Sequence, residues 1–224
     1  MNKILLISLS VLLSLGPILF VPKVSFERNS NDVASSSFKF KTIASPVKND
    51  IGSKAKLTLV DGDIDQGSGD LSALTDGRLP SDEDEPGANF FFNAGSFGGR
   101  FRMDFGTAIE ITQVNSYSWH SNSRAPQLYK LYGSDGTDPK FNASPRRGVD
   151  PVSVGWTAIA TVSTIPANGE DGGQYGVNIS DSEGSLGKYR YLLFDCYPTE
   201  LNDNWGNTFY SEIDVISEPK KQAQ

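Results

Sequence analysis

Residues 100–119 read RFRMDFGTAIEITQVNSYSW, and the spacing of their side chains decides the fold. Phe101, Met103 and Phe105 alternate with Arg102 and Asp104, and Ile109 and Ile111 bracket Glu110. Apolar residues two apart lie on one face of a strand, so both segments read as strands with one face on a core. The same period recurs in Leu57–Val60, Asn89–Asn93, Gln127–Gly133, Trp156–Val162, Gln174–Ile179, Tyr189–Asp195 and Phe209–Ile216. No stretch of twelve residues carries the apolar stripe of a helix. Turn dipeptides separate the strands: Gly98-Gly99, Asp135-Gly136, Asn168-Gly169, Gly172-Gly173 and Glu183-Gly184. About eight to nine short strands divided by such turns predict an all-β protein, an antiparallel sandwich in one domain over residues 56–217.

The rest of the chain reads differently. Residues 1–21 hold a basic start, Met1-Asn2-Lys3, then an uncharged run from Ile4 to Val21. That pattern fits a cleaved signal peptide or a retained membrane anchor, and either implies export to the periplasm, cell surface or exterior. No cysteine stands directly after it, so an N-terminal lipid anchor on cysteine is not expected. Residues 22–55, rich in Ser, Asn, Lys and Val without period, read as a flexible tether, and 218–224 as a polar tail. A net charge of −7 argues against a phosphate backbone as partner, so no nucleic acid is expected. The lone Cys196 shares a strand face with Leu192 and Phe194, which predicts a buried thiol and no internal disulfide.

Three further stretches carry a resemblance. LTDGRLPSD (74–82), SYSWHSNSRAPQLYKLYGSDG (116–136) and FYSEIDVI (209–216) occur in the order seen in the discoidin / coagulation-factor type C family. That galactose-binding-like family includes domains similar to family-32 carbohydrate-binding modules, and the marks span nearly the whole predicted domain. The resemblance implies a jelly-roll-like β-sandwich of eight strands. It also implies a structural Ca²⁺, held by Asp76, Ser81 and Glu212 with the carbonyls of Leu74 and Arg78. Ser81 and Arg78 depart from the family's usual Thr and Asn; a carbonyl ligand tolerates the second change. Calcium suits such a set because it takes several hard oxygens from carboxylates and carbonyls. For the ligand, the resemblance implies sugar contacts from the loops carrying His120, Asn122 and Arg124, with Trp205 and Asn207 in a second loop. Planar, multi-donor groups of this kind can hold neighbouring hydroxyls.

Other motifs fail on inspection. Asp61-Gly62-Asp63-Ile64-Asp65 opens like an EF-hand, but Gln66 stands at the sixth position and Ser72 at the twelfth. Asp82-Glu83-Asp84-Glu85 reads as a solvated acidic turn. The sequence has one histidine and no nucleophile elbow or His-Glu-x-x-His, so no catalytic site is assigned. The expected function is a non-catalytic module, exported or membrane-tethered, that recognises a glycan. A protein-interaction or adhesion module of the same fold is the alternative, with a hydrolase third. Membrane contact is expected through the N-terminal segment alone.

Overall fold

The computed structural model describes residues 22–217 apart from 168, 170, 183 and 201–205. The apolar N-terminal run, the polar tail and Trp205 therefore lie outside the described residues. The described residues form eight strands: β1 (Lys23–Asn29), β2 (Lys56–Asp61), β3 (Gly99–His120), β4 (Leu128–Ser134), β5 (Thr157–Ser163), β6 (Gly173–Ser180), β7 (Gly187–Cys196) and β8 (Tyr210–Ser217). The only helical pieces among the described residues are four 3₁₀ turns of three or four residues.

The two strands expected within 100–119 are one long strand, β3, with an irregularity in its middle. Its first half pairs with β2 and β7, and its second half with β6 and β8. Register shifts between Asp104 and Ile109, where Gly106 adopts φ 77°. That left-handed backbone is cheap only for glycine, so Gly106 lets one strand serve two groups of partners. β1 flanks β6, β4 flanks β7, β5 flanks β4, and every pairing is antiparallel. Alternation then aims Phe101 and Met103 from one half, and Val114 from the other, into one core with Val177, Ile179, Leu192, Phe194, Ile213 and Val215. The all-β antiparallel sandwich read from the sequence is the fold observed.

The tether expected over 22–55 is corrected. Residues 23–29 form β1 and pair with β6 from Lys23↔Ser180 to Asn29↔Gln174. Beyond β1 the chain is irregular, which is why it shows no period, yet it packs. Phe38 is fully buried, meeting Tyr117 and Trp119 edge-on at 6.1 and 5.8 Å. Glu27 accepts from the Lys41 and Thr42 amides, and Asp50 accepts from those of Gly52 and Val215. Side-chain acceptors thus replace the ladder bonds that an irregular segment lacks. The sandwich includes β1 from Lys23, and the segment after it packs on Tyr117 and Trp119 of β3 and reaches Asp214 of β8, opposite the main core.

Asn89–Asn93 is also corrected: instead of a strand it makes two isolated bridges, Phe90↔Tyr210 and Ile64↔Phe92. Phe90 and Phe92 face the core, so period two turns Phe91 the other way, onto Phe209. The polar segment between β4 and β5 is fastened from below. Arg100 Nη1 donates to the carbonyls of Pro145, Arg146 and Val149, and Arg102 Nη1 to that of Ala143.

Cys196 is buried, and burial pushes its thiol up to about 12. Almost no thiolate then exists at pH 8, and the sulfur is also shielded. The native chain is expected to resist an aromatic disulfide reagent for hours at pH 8 and to titrate one thiol at once in denaturant. Rapid reaction of the folded protein would contradict the buried placement.

Candidate functional site

The site grows from the end of β3. His120 closes that strand, 6% exposed, and the chain turns through Ser121–Arg124 before β4. The turn is self-fastened: His120 Nδ1 accepts from the Asn122 amide at 3.2 Å, and Asn122 Oδ1 from the Arg124 amide at 3.2 Å. An accepting Nδ1 leaves the ring proton on Nε2, which faces Asp84 Oδ1 at 3.7 Å. Burial, and after it the Arg124 charge, holds the His120 pKa below its ordinary value, so the ring is neutral near pH 7.

Arg124 lies on aromatic carbon. Its guanidinium centre stands 4.3 Å from the Phe209 ring and 4.9 Å from the Phe91 ring, and those rings stack on each other at 3.9 Å. His120 meets the edge of Phe209 at 4.4 Å. The planar cation is thus oriented by stacking, while Nε and Nη2 are buried with no hydrogen-bond partner. Burial lowers its pKa, and the charges of Asp65 and Asp84 oppose that shift. Donors from His120 and Arg124 and acceptors from Asp65 and Asp84 therefore gather at one end of the sandwich.

Of the residues expected to touch a sugar, His120, Asn122 and Arg124 are brought together. Asn207 is not free to join them: it is buried, and its amide donates to the Asn93 carbonyl at 2.8 Å. It anchors the 93–96 loop instead. Trp119 packs in the cluster with Phe38 and Tyr117 and offers no face to a ligand. Phe91, Phe209, Asp65 and Asp84 escaped the sequence reading as members of this site. The one local signal was the phenylalanine triplet, whose middle ring must leave the core face.

The expected calcium ligands lie elsewhere, around β8. Glu212 and Asp214 alternate with Ile213 and Val215, yet both carboxylates are fully buried beneath 44–50 and 74–77. Glu212 Oε2 accepts from the Gly77 amide at 3.0 Å, and Asp214 Oδ2 from the Val47 amide at 3.0 Å. Glu212 Oε1 and Asp214 Oδ1 are buried without partners. Burial, and then Asp214, raises Glu212 to about 9; burial raises Asp214 to about 7. Asp76, on the adjoining turn, accepts from the Arg78 amide, and the Ser81 hydroxyl donates to Glu85. None of the ion pairs among the described residues involves Asp50, Asp76, Glu212 or Asp214.

No group of three His, Cys, Asp or Glu side chains among the described residues converges to hold a metal by itself. A cation here would draw its remaining ligands from carbonyls, as calcium does readily. The orphaned Glu212 oxygen beside the Asp76 turn fits that requirement.

No protein-family model matches the chain, and no curated protein matches it. Among solved structures it is similar to chitosan-binding module 1 of a chitosanase/glucanase from Paenibacillus sp. IK-5, at 14% identity over 75% of this chain and 99% of that one, with a TM-score of 0.48. It is similar to an F-type lectin (fucolectin) from striped bass (Morone saxatilis) serum, at 14% identity over 75% and 48% of the two chains, TM-score 0.49. It also aligns with SpGH29 at 11% identity and a TM-score of 0.45; 77% of this chain is covered but only 28% of the SpGH29 chain.

Proposed function

We propose that this chain is a non-catalytic carbohydrate-binding module whose sugar sits against His120 and Arg124. The observation that carries the reading is the Arg124 guanidinium, stacked on Phe209 with Nε and Nη2 buried and unpartnered. Burial of those two nitrogens fixes the plane of the cation and leaves Nη1, which has no ion pair among the described residues, as the edge open to a ligand's oxygens. A pair of neighbouring hydroxyls is the natural complement. They accept from Arg124 and from His120 Nε2–H, and return their own protons to Asp84 or Asp65. A neutral His120 serves this role as a directional donor.

Calcium belongs to the same proposal as a brace, held by Asp76 and Glu212 with the Leu74 and Arg78 carbonyls and the Ser81 hydroxyl. Bound there, it would neutralise the buried carboxylates and fix the 74–81 turn to β8. The uncharged run Ile4–Val21 behind Lys3 supports export, with the module held at or released from the membrane.

A glycan array probed with the full chain, with and without chelator, tests the sugar reading. Binding to a subset of glycans is expected, and Arg124→Ala should weaken it roughly 10- to 100-fold, the worth of one or two charge-assisted hydrogen bonds. Arg124→Lys should not rescue it, because a point charge cannot copy the planar fork. A folded protein that binds no glycan, or binds equally well as Arg124→Ala, defeats the proposal.

A further inference from the structure

A second concavity lies at the start of β4, apart from the His120–Arg124 site. This groove of about 540 Å³ is bounded by Phe97, Leu128, Lys130, Arg147, Tyr197 and Pro198. Its walls are mostly carbon, and most of their polar groups are already committed. The Tyr197 hydroxyl donates to Asp195, and Arg147 donates to the carbonyls of Phe97 and Cys196. A polyol seated here would lose its water without gaining partners, so the groove is a poor place for a sugar. Phe97 is 69% exposed, a large aromatic at the rim with no core role.

The charge at this groove is also distinctive. Lys130 Nζ and the Arg147 guanidinium stand over the Tyr197 ring at 5.9 and 5.0 Å. Lys130 is exposed and forms no ion pair among the described residues. Arg147 shares its charge with Asp195 at 3.7 Å, so Lys130 is the cation left over at this apolar trough, and on a chain of net charge −7 it favours an anion with a carbon body. We infer that this groove binds an amphipathic carboxylate, its aromatic or alkyl body against Phe97, Leu128 and Pro198 and its carboxylate at Lys130. The assignment is independent of the sugar site and would stand if that site failed.

The test titrates the full chain, isotopically labelled, with 4-phenylbutanoate while backbone amide shifts are followed. Saturable shifts should centre on 128–130, 161 and 197–198. The uncharged 4-phenylbutanol should bind about fivefold more weakly, the worth of one partly screened charge contact. Lys130→Gln should bring the acid down to the level of the alcohol and leave the alcohol unchanged. Phe97→Ser should weaken both, and Arg124→Ala neither. Phe97 and Lys130 are exposed, so unchanged melting temperatures should accompany these losses. Absent saturation, equal affinity for acid and alcohol, binding untouched by both variants, or loss with Arg124→Ala would each overturn the assignment.

Discussion

Arg100→Ala is expected to destabilise the protein by about 3–5 kcal/mol, the range for breaking a buried ion pair from one side. Arg100 Nη2 donates to Asp195 Oδ2 at 2.9 Å, and the two side chains are only 7% and 1% exposed. Nη1 meanwhile donates to three carbonyls, those of Pro145, Arg146 and Val149, at 2.9 to 3.1 Å. Alanine removes all four bonds at once. Asp195 would keep the Tyr197 hydroxyl at 2.7 Å and Arg147 at 3.7 Å, too little for a carboxylate in that position. Lysine keeps the charge but cannot reach Asp195 and three diverging carbonyls, so Arg100→Lys should recover only part of the loss. The paired change Arg100→Met with Asp195→Leu should cost less than the sum of its parts, since it leaves no lone charge. Denaturant unfolding measures all of these. A loss under about 1 kcal/mol for Arg100→Ala would mean the pair is as weak as a surface contact.

That network also shows where the sequence is legible. β3 was readable because one residue in two faces the core, and no partner is needed to see that pattern. Arg100 and Arg102 look, in sequence, like the solvent face of the same strand. Only the fold brings the 134–154 loop over them, across more than forty residues. Residues 30–55 escaped for a related reason: Phe38 and Ile43 are buried without alternation, because irregular backbone imposes no period. β1 does carry a short alternation, Val24 and Phe26 against Ser25 and Glu27, that escaped as well. At the candidate site, His120, Asn122 and Arg124 were legible as neighbours in one turn. Asp65 and Asp84 reach that turn through chain crossings no local pattern encodes, and for Phe91 the triplet marks only that its ring leaves the core face. Asn207 shows the converse, since a polar residue in a loop looks the same whether it faces a ligand or braces a carbonyl.

Without calcium, stability should fall as pH rises from about 5 to 9, the reverse of ordinary acid denaturation. Glu212 and Asp214 are fully buried, and burial holds them protonated up to about 9 and about 7; in Glu212 the neighbouring Asp214 adds to the effect. In the unfolded chain such carboxyls titrate near 4. Below that pH both states carry the protons and the groups make no difference. Above it the unfolded chain releases protons that the native state keeps, so native stability declines until the folded groups ionise too. At about 1.4 kcal/mol for each tenfold change in proton affinity, shifts of this size set an upper bound of about 10 kcal/mol. A loss of at least about 2 kcal/mol is expected, or about 4–8 °C in melting temperature for a chain of this size. Carboxylates with lowered pKa, such as Glu27 and Asp104, act in the opposite sense, but their stability is lost only as pH falls below about 4. His120, held low, gives a small opposing slope near its ordinary range, and a comparison with Glu212→Gln cancels it. Calcium reverses the sign because it binds the ionised oxygens and displaces their protons, so its stabilisation should grow with pH. Millimolar calcium should therefore flatten the decline above pH 7. Glu212→Gln keeps an oxygen for the Gly77 amide but can neither ionise nor donate a charged ligand, so it should lose most of the slope and all of the calcium response. A pH-independent melt of the wild type in chelator would refute the protonated pair. A melt at pH 8 that calcium leaves unmoved would refute the metal, whatever the sugar site does.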